Sequence, residues 1–106
     1  MKKITGTVTG IAATINVEVG FKPTKVVVRN VTTLNANEFN EADETNAYGR
    51  IITASTGVIT AAGSAAAGIV QYDGSEGAES EGFTIGASAL VNVSTNVLEW
   101  EAELAD

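Results

Sequence analysis

The chain has 106 residues, with six Lys and Arg against 13 Asp and Glu, and neither His nor Cys, giving a formal net charge of −7. At about 100–150 residues per domain it makes one domain, residues 1–106, large enough for a real core and too small for two. Without imidazole or thiol, the usual general base at neutral pH, the soft metal ligands and the cysteine nucleophile are missing together, so most enzyme classes fall away and neither cofactor nor metal is expected.

The basic start at Lys2 and Lys3 is followed by Thr5, Gly6, Thr7 and Thr9. These break any apolar run, so no secretion signal and no membrane span is read, and the chain is expected to be mature, soluble and without a membrane partner. Residues 1–53 hold all six cations against five acids, a balance of +1, whereas residues 54–106 hold eight acids and no cation, a balance of −8. The split predicts an electrically mixed end and an anionic end. It disfavours a nucleic-acid partner, because phosphate contacts need clustered Lys and Arg.

In chain order, residues 3–9 are Thr-rich and bounded by Gly10, the pattern of a short or edge strand. Ile15, Val17, Val19 and Phe21 share one parity with Asn16 and Glu18 on the other, which predicts a strand with one buried face. Pro23 then marks a turn. Residues 25–31 are too apolar for strict alternation and read as a central strand covered on both faces. The polar stretch 33–48 predicts a long loop with one helical turn near 37–42. Strands follow at 50–54 and 57–60, joined through Ser55, Thr56 and Gly57. Residues 61–68 are all Ala, Gly and Ser and predict an exposed flexible arm, since eight such residues offer no apolar anchor for a helix.

Beyond it, residues 68–72 read as a strand, 73–82 as an acidic turn region, 83–86 as a strand and 90–94 as a less regular one. The last segment is the clearest: Leu98, Trp100, Ala102 and Leu104 alternate with Glu99, Glu101 and Glu103. Seven to eight short strands with frequent turn signals predict an all-β chain, an antiparallel β-sandwich, with a partly open barrel as the alternative.

No motif in the chain organises chemistry. Asp73, Glu76, Glu79 and Glu81 lack the alternating spacing of a calcium loop, and so do Glu41, Asp43, Glu44 and Asn46. Glu99, Glu101 and Glu103 point to one side of one strand, which is wrong for two carboxylates flanking a bond. Asn30 and Asn92 match the glycosylation pattern by chance, absent a secretion signal. Lys22, Lys25 and Arg29 either guard an apolar strand against aggregation or form a positive patch for an acidic partner. Trp100 serves the core or a subunit contact.

Three segments together carry a resemblance. Gly20-Phe21-Lys22-Pro23 leads into the basic and apolar strand ending Arg29-Asn30; Gly82-Phe83-Thr84-Ile85-Gly86 follows; Val91-Asn92-Val93 and Leu98-Glu99-Trp100-Glu101-Ala102 close the chain. This order resembles small virion proteins of tailed bacteriophages, especially head decoration (cement) proteins. The resemblance implies a structural protein made in the bacterial cytoplasm and bound to the capsid exterior. There it would bridge major capsid proteins as a homotrimer, with the termini or residues 61–68 as arms and the mixed-charge half facing the capsid. Lys2, Lys3, Lys22, Lys25, Arg29 and Trp100 are then the candidate capsid or subunit interface. The alternatives are a tail, tail-fibre or baseplate module and a carbohydrate-binding or adhesin domain. The last needs an exposed aromatic platform, for which six aromatics leave few to spare.

Overall fold

The alternation of Leu98, Trp100, Ala102 and Leu104 with three glutamates sets the position of the last strand, and with it the whole sheet. The computed structural model describes residues 2–43 and 45–105; Glu44 of the second acidic cluster and Asp106 of the C-terminal acids lie outside them. Among the described residues nine antiparallel strands form two sheets: β1 (Lys2–Thr9), β2 (Ile15–Glu18), β3 (Lys25–Asn30), β4 (Ala36–Asn40), β5 (Arg50–Thr53), β6 (Val58–Ala61), β7 (Ile69–Tyr72), β8 (Gly82–Ile85) and β9 (Val97–Leu104). Six strands make the larger sheet in the order β1-β9-β3-β4-β5-β6, and β2-β8-β7 make the smaller one. The architecture is an all-β sandwich that does not close into a barrel.

The core lies between the sheets. Val26, Val28, Phe39, Ile51, Leu98 and Ala102 from the large sheet meet Ile69, Phe83 and Ile85 from the small one, with Phe21 and Val91 closing the ends. Phe83 and Trp100 meet edge to face, centroids 5.5 Å apart. Each fully buried side chain of this kind contributes about 1.5–3 kcal/mol relative to exposure.

Four expectations need correction. The stretch expected as a loop with a helical turn contains β4, paired to β3 through Val26 opposite Phe39 and Val28 opposite Asn37. Its period of two is present but one inward position is Asn37, 1% exposed, which hides the pattern from any apolar count. Residues 90–94 form turns rather than a strand, because Asn92 turns its side chain inward to bond the Ala13 carbonyl of the β1–β2 connection and the Gly86 carbonyl of its own. Residues 61–68 are stitched down at their C-terminal end rather than free: the Gly86 and Ala87 amides donate to the Gly68 and Ala66 carbonyls. Small residues serve close approach there, since a Cβ on Gly86 would sit 2.6 Å from the Gly68 carbonyl.

The fourth correction concerns charge. The acidic strand β9 inserts between the two strands that carry most of the basic residues, with Lys3 and Lys25 both opposite Glu103 and Arg29 opposite Glu99. The two halves of the sequence therefore interleave on the outer face of the large sheet. There is no mixed half and anionic half in space.

Candidate functional site: a charge-free end

The six residues expected at an interface do not form one patch. Lys3 lies 3.5 Å from Glu101. Lys22, in the β2–β3 connection, lies 2.9 Å from Asp73 and 3.9 Å from Glu81. The bond to Asp73 and its charge raise the Lys22 pKa above the ordinary lysine value. Lys25 and Arg29 stand on the outer sheet face opposite glutamates. Lys2 lies over the Phe21 ring, 5.7 Å from its centroid. Trp100 points to the inner face against Phe83 and remains half-exposed beside β1. Arg50, on the same outer face, bonds Asp43 at 2.8 Å. Cations matched by neighbouring carboxylates attract a distant acidic surface only weakly.

The strand register sorts the loops into two ends. At one end lie the connections β2–β3, β4–β5 and β7–β8, bearing Lys22, Glu41, Asp43, Asp73, Glu76, Glu79 and Glu81. At the other lie residues 10–14, 31–35, 54–57 and 86–96, adjacent because Thr9 pairs with Val97, Asn30 with Leu98, Ala36 with Ile52, and Ile15 with Ile85. None of these four segments contains a charged residue. They expose Ile11, Val31, Leu34 and Leu90, with Val97 at their margin, and Leu34 is 58% exposed. Contiguous exposed apolar side chains mark interaction sites more often than scattered ones do.

Three asparagines lock these loops together. The Asn92 carboxamide accepts from the Ile11 and Ala12 amides at 3.0 and 3.3 Å and donates to the Ala13 and Gly86 carbonyls at 2.6 and 3.0 Å. Asn30 donates to the Val91 carbonyl at 2.9 Å and accepts from the Thr32 and Thr33 amides. Asn35 donates to the Leu90 carbonyl and accepts from the Ala54 amide, both at 2.9 Å. A carboxamide gives and takes hydrogen bonds without charge, so it ties four loops into one platform and keeps the end neutral. Asn30 and Asn92 are 0% and 1% exposed, so the glycosylation-like matches are structural positions.

The platform also stores strain. Ala12, Leu34 and Thr95 adopt positive φ of 57°, 65° and 73°, and they are the described non-glycine residues that do so. All three lie in these loops, where a left-handed conformation costs about 1–2 kcal/mol for a residue with a Cβ. Sequence reading missed this site because its signal is the absence of charge from four separate segments, which only the register brings together. The outer face of the large sheet has two shallow hollows on either side of Val27. Among the described residues its outward strand positions, with Thr5, Glu101, Val27, Glu38 and Arg50 in one row, carry no aromatic side chain, and the aromatic residues that line the hollows, Phe39 and Trp100, stand at inward positions of their strands.

No family model, curated protein or solved structure matches the chain.

Proposed function

We propose that the protein is a structural virion protein of a tailed bacteriophage. It binds the outside of the head in many copies and stabilises contacts between major capsid proteins, with the charge-free end as its docking surface. The homotrimer and the capsid-exterior location belong to the same proposal. The observation that carries it is the absence of charge from four adjoining loops that expose Ile11, Val31, Leu34 and Leu90 at one end of an acidic protein. Such an end makes contacts by burial rather than ion pairing, and repetition over a symmetric surface turns modest contacts into firm attachment. The acidic loops at the opposite end then face solvent and keep neighbouring particles apart.

This orientation replaces the one in which the mixed-charge half faces the capsid, because no such half exists in space. The test is to mix purified protein with undecorated heads and, separately, with isolated tails. Saturation of heads at a fixed copy number, with greater resistance of the heads to heat, is the expected outcome. Copurification with tails and indifference to heads favours the tail or baseplate role and overturns the proposal.

A further inference from the structure

The large sheet has two open edges, β1 and β6. Among the described residues neither uses its outer backbone groups on another part of the chain. Open edges are usually blunted by Lys, Pro, bulges or a covering loop. β1 has lysines only at its start, at Lys2 and Lys3, and β6, Val-Ile-Thr-Ala, has none of these devices. All four β6 residues are exposed, with Val58 at 52% and Ile59 at 59%. An edge of this kind selects its partner by main-chain hydrogen bonding, which means another extended strand.

We infer that the strand is β1 of a second copy, so that copies associate head to tail with β6 of one chain extending the sheet of the next. The first argument is direction. The six strands alternate without exception, so β1 and β6 run in opposite senses. Two copies pointing the same way therefore meet as a regular antiparallel pair. Pairing of β6 with β6 would point the docking ends in opposite directions, and here the inference rests on the reading of the charge-free end given above. It would also leave β1 open, whereas head-to-tail pairing uses both edges of every copy.

Register supplies the second argument. Thr60 lies in one row with Ile51, Asn37, Val28, Trp100 and Gly6 across the sheet. Ile59 lies level with Thr7 in the next row. Held at that level, β6 of a neighbour falls against residues 5–8 of β1, past the two lysines, and neither segment bears a charge. For a chain of net charge −7 this avoids the repulsion that opposes approach elsewhere. It also covers Trp100, whose indole lies against Gly6 at the β1 edge.

The chain has no cysteine, so single thiols report contacts cleanly. Thr5→Cys, Thr7→Cys and Thr9→Cys each place a thiol on the outer face of β1, and Ile59→Cys places one on the same face of β6. Mild oxidation of an equimolar mixture of Ile59→Cys with the three β1 variants in turn should give a mixed disulfide dimer with at least one of them. Ile59→Cys alone should remain uncrosslinked. Wild-type protein should sediment as a larger species as concentration rises, with a blue shift of Trp100 emission, and Ile59→Lys, exposed and so compatible with folding, should abolish both. Crosslinking of Ile59→Cys with itself, absence of every mixed disulfide, or association of Ile59→Lys equal to wild type overturns the inference. None of these measurements uses heads, so their failure is separate from a failure to bind heads.

Discussion

Trp100 lies across Gly6, its partner in the β1–β9 pair, so closely that a Cβ on Gly6 would stand 2.5 Å from the indole Cζ2 and 2.9 Å from Cε2. Glycine in an edge strand is ordinarily a weakness, but here the neighbouring indole fills the missing side chain's place. Gly6→Ala should force the ring off its seat against Phe83. The expected result is a loss of about 1–3 kcal/mol in urea unfolding and a red-shifted Trp100 emission in the folded state. Unchanged stability and emission would show that the ring has room to move without consequence.

Asn92→Ala tests the platform. It removes two acceptor bonds to the Ile11 and Ala12 amides and two donor bonds to the Ala13 and Gly86 carbonyls. With a cost of about 1–3 kcal/mol for each buried group left unsatisfied, partial rehydration still leaves a loss of about 3 kcal/mol or more. Thermal or urea unfolding measures it, and amide exchange should accelerate at residues 11–13. A loss under about 1 kcal/mol would mean that water replaces the side chain without penalty.

Leu34 should show opposed effects on stability and binding. At φ 65° and 58% exposed, it contributes strain and little burial to the isolated chain. Leu34→Gly should therefore stabilise the fold by about 1 kcal/mol while weakening attachment to heads. A variant that loses stability would place Leu34 in the fold's own packing instead.

Much of the fold was legible from residue order. β9, β3 and the β5–β6 hairpin carry their inward faces in apolar residues or mark their turn with Gly57, so periodicity finds them. β4 and the 86–96 loop were misread for one shared reason: Asn37 and Asn92 occupy inward positions where an apolar residue is expected, and buried carboxamides look like surface in a sequence. The candidate site was illegible for a different reason. Neutrality of an end is a property of four segments spread over residues 10–96, and it exists only once β9 has been placed between β1 and β3.

Acid should loosen the β4–β5 connection. The Asn46 side-chain bond first, then its backbone amide and the Arg50 guanidinium, hold the Asp43 carboxyl below the ordinary aspartate value. A lowered folded-state pKa stabilises above the unfolded value and loses that contribution as pH falls through the lowered one. In NMR titration the Asp43 carboxyl should turn over below pH 3.8 in wild type and move up toward it in Asn46→Ala. An identical midpoint in both proteins would remove the Asn46 side chain as the cause.

The most direct measurement compares two exposed-surface variants for saturation binding to undecorated heads across a range of salt. Leu34→Glu puts one charge on the neutral end, and the triple variant Lys22→Ala, Lys25→Ala, Arg29→Ala removes the lysine of the β2–β3 turn and the two basic residues that β3 carries on the outer face. Attachment through the charge-free end predicts that Leu34→Glu loses binding by at least about tenfold, on the order of 1.4 kcal/mol, while the triple variant binds as wild type does, with little dependence on salt. Full binding by Leu34→Glu together with loss of binding by the triple variant would contradict the account.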